Sequence, residues 1–111
     1  MPATYDDAQI VVQLLRWASE MGLQDAAHAL FASSFDAEAA TADNPAVRKM
    51  LGFGETIATL AKHDVLDAGL ARDLWWVEGM WARVGPAARR ERERLSEPRL
   101  YENFDAFVSG G

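Results

Sequence analysis

The chain has 111 residues, half of them hydrophobic, with no cysteine and a formal net charge of −6. That length is one domain with apolar content enough for one core, and the missing cysteine excludes disulfides, thiolate metal sites and cysteine nucleophiles. An acidic chain also lacks the basic field that general nucleic-acid binding needs.

The first helix is expected over about Asp6 to Met21. Thr4 or Asp6 can cap it, and Asp7 suits the positive helix start. Ile10, Leu14, Trp17 and Met21 recur at helical spacing, with Val11, Leu15 and Ala18 beside them, so a wide apolar face is expected to be buried. Gly22 ends this helix. A shorter one follows over about Gln24 to Ser33, with Ala27, Leu30 and Phe31 inward. Residues 35–43 are rich in Ala and acids and hold no large apolar residue after Phe35, which predicts a mobile loop or a weak turn. Asn44-Pro45 is an N-cap followed by proline at the first helical position. The helix it opens should reach about His63, with Val47, Met50, Leu51, Ile57, Ala58 and Ala61 as its stripe and Phe53 and Leu60 beside it.

Asp67 caps the next predicted helix, about Ala68 to Val84, on which Leu70, Leu74, Val77, Trp81 and Val84 form a seam. Gly85-Pro86 is expected to break it, and Pro86 to open a charged helix to about Ser96. Glu97-Pro98 breaks the chain again before a last helix, about Arg99 to Val108, with Leu100, Phe104, Phe107 and Val108 on one side. The ends, 1–5 and 109–111, are expected to fray. The spacing gives an all-α fold, an irregular bundle of five to six helices around one core in a single domain. Residues 1–9 lack the basic stretch of a secretory leader, and no apolar run approaches the ~20 residues of a membrane span. A cytoplasmic protein without membrane contact is expected.

Three of the four tryptophans, Trp75, Trp76 and Trp81, fall within seven residues. Trp81 lies on the seam and reads as core. Trp75 and Trp76 point about 100° apart on a helix and cannot share one groove. One of them packs on a second neighbour, on a symmetry mate or on a ligand, and Arg72 and Arg83 lie on the Trp76 side. Gly52 and Gly54 stand inside the Asn44-capped helix, where each costs about 1 kcal/mol against alanine. No strand precedes them and no Gly-Lys-Ser/Thr follows, so they are not a phosphate loop. Close approach of another helix explains them better, with Trp75 or Trp76 expected against Gly52.

Arg48, Gly52, Glu55, Thr59 and Lys62 make one polar stripe, and if the Trp-bearing helix packs beside Gly52, Glu55 is expected to meet Arg72 or another base. A structural salt bridge is the ordinary reading of such a pair, since no second carboxylate is spaced for acid–base work. His28 and His63 lack metal-ligand spacing, and no serine sits in a nucleophile elbow. No metal or other cofactor is expected. In Arg89-Arg90-Glu91-Arg92-Glu93-Arg94 the bases are balanced by acids. Arg89 and Arg90 can both pair with Glu93, which predicts a solvated, salt-bridged helix; nucleic-acid contact is the remote alternative.

Residues 44–108 carry a recognisable order. It runs Leu51-Gly52-Phe53-Gly54-Glu55-Thr56, then Val65-Leu66-Asp67 opening a helix, then Trp75 to Trp81, then Gly85-Pro86 with an Arg-rich helix, then Tyr101-Glu102-Asn103-Phe104. This order resembles a group of short bacterial helical proteins known as a domain of unknown function. Their pattern pairs a Phe-x-Glu helix with a Trp-bearing helix, an Arg-containing helix and a terminal aromatic–acid segment. Gly54 between Phe53 and Glu55 is this chain's own, and residues 1–43 lie outside the likeness. The resemblance implies an all-helical fold and supplies no activity.

The expected function is a non-catalytic helical interaction module, self-associating as a homodimer or binding another protein. The alternative is a small-molecule-binding protein or minor enzyme. Its pocket would lie between the Gly52 helix and the Trp75/Trp76 helix, drawing on Gly52, Glu55, Thr59, Arg72, Trp75, Trp76 and Arg83.

Overall fold

Three helices begin where short polar side chains take up the first free N–H groups. Thr4 forms a reciprocal capping box with Asp7, Asn44 accepts from the N–H groups of Ala46 and Val47, and Asp67 accepts from that of Leu70. In the computed structural model, which describes residues 2–110, these caps open helices α1 (Tyr5–Met21), α3 (Pro45–Lys62) and α4 (Ala68–Leu74). Helices α2 (Leu23–Phe31), α5 (Val77–Leu95) and α6 (Glu102–Val108) complete six, and no strand forms among the described residues. The fold is an all-α bundle, as the spacing predicts. Met1 and Gly111, part of the ends expected to fray, lie outside the described residues.

Helix α3 is the hub. Its Val47, Met50, Leu51, Phe53, Ile57, Ala58 and Ala61 are buried, and α2, α4, α5 and α6 pack around it. Each fully buried Leu, Ile or Phe contributes about 1.5–3 kcal/mol relative to exposure, so this one stripe organises the domain. Residues 35–43 form turns fastened by arginines: Arg83 donates to the Phe35 carbonyl and Arg90 to those of Ala37 and Ala40.

Helix boundaries in the second half depart from the sequence reading. The expected helix from Ala68 to Val84 is interrupted at Trp75-Trp76. Trp75 is extended (φ −127°, ψ 131°), and Trp76 sits in a tight turn (φ −80°, ψ 75°) closed by a 2.9 Å bond from the Val77 N–H to the Trp75 carbonyl. This is inverse γ-turn geometry. The break resolves the conflict between two adjacent indoles by sending each to its own aromatic neighbour. Trp75 meets Phe53 edge-on, with centroids 5.6 Å apart, and Trp76 stacks on Phe31 at 5.9 Å.

Conversely, Gly85-Pro86 breaks nothing, and α5 runs through both residues. Proline removes an intrahelical bond and costs about 3 kcal/mol. Buried Val77, Trp81 and Val84 before it and Ala87 and Ala88 after it hold the two halves in line. Helix α6 starts at Glu102 rather than Arg99, because Tyr101 takes a left-handed conformation (φ 58°).

Helix α1 is the other correction. Of the apolar face expected inside, Leu14 is buried and Ile10, Val11, Ala18 and Met21 pack half-buried on the core, but Leu15 and Trp17 are 50% and 37% exposed. The helix packs chiefly on α2. A long-range bond anchors its start: Asp7 Oδ1 accepts from the Asp67 N–H at 2.8 Å, while Oδ2 accepts from the Thr4 N–H at 2.7 Å. These main-chain donors, Thr4 first and Asp67 second, hold the Asp7 carboxyl below the ordinary carboxylate range.

A carboxyl whose folded pKa lies below its unfolded value stabilises the protein above that unfolded value, about 3.9, and the contribution fades as pH falls through the folded pKa. The melting temperature of the parent is therefore expected to fall more steeply below about pH 4 than that of Asp7→Ala. Parallel acid limbs for the two proteins would show that the Asp7 contacts are not stabilising.

Candidate functional site

The seven candidate residues do not share one pocket. Gly52 faces open space: a Cβ built there meets nothing within 4 Å, so no tryptophan lies against it. The close approach is at Gly54, where a Cβ would lie 2.1 Å from the Phe104 ring. The helical wheel carried this signal. Gly54 is four residues after Met50 and three before Ile57, on the apolar stripe, whereas Gly52 shares the polar one with Glu55 and Thr59.

Glu55 and Arg72 do not meet. They hold opposite ends of α6. Glu55 Oε1 accepts from the Phe104 N–H at 2.8 Å, supplying from α3 the cap that α6 lacks in its own sequence. Thr59 donates to the Glu55 carbonyl at 2.7 Å and accepts from Asn103 Nδ2 at 2.9 Å, which fastens the same end. Arg72 Nη1 donates to the Phe107 carbonyl at 3.0 Å, and its guanidinium lies 3.9 Å over the Phe107 ring. The terminal N–H and C=O groups that any helix leaves open are thus taken by charges of the sign its dipole favours.

Arg83 plays a similar part on α2. Its Nε donates to the Leu30 carbonyl at 2.6 Å, and Nη2 reaches those of Ala32 and Phe35 at 3.3 and 3.4 Å. Arg92 extends the pattern, donating to the Leu100 and Tyr101 carbonyls and pairing with Asp105 at 3.0 Å. The expected pairs of Arg89 and Arg90 with Glu93 are replaced: Arg90 binds main-chain carbonyls, and the local ion pair is Arg94 with Glu91. A planar guanidinium offers several donors in a fixed fork, which a lysine cannot. Four arginines of the second half, Arg72, Arg83, Arg90 and Arg92, are therefore main-chain clamps.

Other electrostatic features are local. Arg99 holds the Glu102 carboxyl below the ordinary range through a 3.0 Å pair, and burial pushes the Tyr101 phenol up. Among the described residues no group of three His, Asp or Glu side chains is placed to hold a metal ion.

The remaining candidates fall into separate depressions. Trp75 lines a groove of about 470 Å3 with Leu15, Ala18, Leu23, Phe31 and Met80. Trp76 and Arg83 line a second beside it, and Arg72 lines a third, between α3, α4 and α6. Trp76 is 69% exposed, yet its ring lies flat on α5, 2.4 Å from where a Gly79 Cβ would stand.

Fold and contacts define a small all-α domain whose helix ends are tied by side chains from neighbouring helices. The chain belongs to the family described as Domain of unknown function (DUF4760), which it matches over residues 4–110. The match extends the resemblance seen in residues 44–108 to α1 and α2. Comparison with curated proteins and with solved structures gave no match. Among the described residues no helix is long and apolar enough to cross a membrane.

Proposed function

We propose that the domain is a non-catalytic, cytoplasmic interaction module that pairs with a second copy of itself through the face formed by α1, α2 and the α4–α5 turn. The observation that carries this is Trp76, an indole mostly exposed to solvent and yet held in one orientation. Phe31 stacks beneath it, and a glycine, Gly79, leaves room for it on α5. Rigid aromatic side chains on a surface are the residues that most often dominate binding energy. The neighbouring groove, with half-exposed Leu15 and Phe31 in its lining, continues the apolar surface around that ring. An exposed flat indole and an apolar groove on one face let the same surface serve both copies across a two-fold axis. The uncovered part of α1 adds apolar surface to that face.

Sedimentation velocity over a range of concentrations tests the reading. The parent is expected to shift from monomer to dimer as concentration rises. Trp76→Ala should raise the dimer dissociation constant by about thirty-fold, corresponding to ~2 kcal/mol at a dominant contact. Because the ring is mostly exposed, its loss should leave the monomer folded, costing at most the stack on Phe31, about 0.5–1.5 kcal/mol. A parent that stays monomeric throughout, or a dimer indifferent to Trp76→Ala, would remove this reading.

A further inference from the structure

The depression between α3, α4 and α6 is separate from the proposed pairing face. It has a volume of about 400 Å3, within the range of small-molecule sites. Its floor is apolar and low, made of the methyl groups of Ala58, Ala61 and Ala68 and the ring of Phe107. The polar groups of its lining are Lys62, Arg72 and Asn103, one from each helix, and no carboxylate lines it. In a chain of net charge −6, this is a local excess of positive charge.

Neither cation forms a direct ion pair, although Lys62 is near enough to Glu102 to help lower that carboxyl's pKa. No carboxylate lies within salt-bridge distance of Lys62 or Arg72 among the described residues, and Glu102, at the start of α6, is taken by Arg99 at 3.0 Å. The Arg72 plane is fixed by its bond to the Phe107 carbonyl and its stacking on the Phe107 ring. Its Nε and Nη2 meet no acceptor among the described residues. Lys62 Nζ touches only Asn103 Oδ1, at 3.3 Å, and keeps further hydrogens to donate. Asn103 is oriented by its bond to Thr59 Oγ1.

From this arrangement we infer that the α3–α4–α6 cavity binds a small monocarboxylate with a compact apolar body. An immobilised guanidinium with free donors matches the two oxygens of a carboxylate, and the ammonium adds a second charge. The alanine floor accepts an aryl ring or a short branched chain. A phosphate dianion fits worse, since oxygens left over from the three polar side chains would face methyl groups.

Titration calorimetry of the whole chain with benzoate, phenylacetate and isovalerate, each to low-millimolar concentration, tests the inference. Benzyl alcohol and inorganic phosphate serve as comparison probes. At least one carboxylate should bind saturably and with one-to-one stoichiometry, benzyl alcohol should not, and phosphate should bind more weakly. Lys62→Gln alters an exposed side chain and should weaken carboxylate binding about ten-fold or more. Ala106→Leu, at an exposed position of the lining, keeps both cations but fills the space and should abolish binding without lowering the melting temperature of the free protein. Absence of saturable binding by all three carboxylates overturns the inference. So does binding that survives Ala106→Leu, or phosphate binding as tight as that of the best carboxylate. Trp76→Ala should leave the titration unchanged, so this site and the pairing face stand or fall separately.

Discussion

Gly54→Ala is expected to destabilise the protein by about 2 kcal/mol, while Gly52→Ala, two residues before, should stabilise it by about 1 kcal/mol. Both substitutions gain the same intrinsic helix propensity. At Gly52 the new methyl enters open space, so the propensity gain is realised. At Gly54 it would lie 2.1 Å from Phe104 Cε2, far inside van der Waals contact. The ring cannot swing away, because Phe104 is fully buried and meets Trp81 edge-on with centroids 4.9 Å apart. Helix α6 cannot simply retreat, because Glu55 and Arg72 hold both its ends. Overpacking of this kind costs typically about 1–3 kcal/mol and occasionally more. Gly54→Leu should cost much more than Gly54→Ala, and Phe104→Leu should restore part of the loss. Urea unfolding midpoints decide the matter: a Gly54→Ala protein as stable as the parent would mean that α6 does not sit where this contact puts it.

The same pair marks what the sequence disclosed. Helix starts at Thr4, Asn44 and Asp67 were legible because a cap is local chemistry, complete within four residues. The α3 stripe was legible for the same reason, and with it the all-α fold. What depended on a distant partner was not. The seam Leu70, Leu74, Val77, Trp81 and Val84 reads as one continuous helix, but the separate demands of Trp75 for Phe53 and Trp76 for Phe31 break it. The mismatch of two adjacent indoles was visible; that the backbone rather than the environment would yield was not. At Gly85-Pro86 the local signal was real and burial on both sides outweighed it.

The polar contacts were the least legible part of the candidate site. Glu55 and Arg72 carry opposite charges on neighbouring helices, so a pair was the natural expectation. Their partners are instead an N–H and a carbonyl of α6. Every residue has a carbonyl, and sequence does not single out those left over at a helix end until the helices are placed. Arg48, Arg72, Arg83, Arg90 and Arg92 all donate to main-chain carbonyls. Four of the seven arginines in residues 67–111 are used in this way.

Arg83→Ala is expected to carry the largest loss among these clamps, about 3 kcal/mol. The Leu30 carbonyl sits in the last turn of α2, at a residue with no exposed surface, and would lose its 2.6 Å donor. Leaving such an acceptor unsatisfied costs about 1–3 kcal/mol. Two further carbonyls, of Ala32 and Phe35, would lose their partner, and the guanidinium would no longer cover the Phe35 ring, 5.1 Å from its centroid. Arg83→Lys keeps the charge at the C-terminal end of α2, which the dipole favours. A single ammonium cannot span three separate carbonyls, so this variant should recover less than half of the loss. The two variants should also differ from the parent in where they loosen. Arg83 ties the exit of α2 to α5, so hydrogen exchange is expected to quicken first in residues 31–43 and to stay slow in α3. Uniform acceleration over the whole chain would indicate that Arg83 acts through global stability alone, and an unchanged urea midpoint for Arg83→Ala would show that its three carbonyl contacts add nothing to the fold.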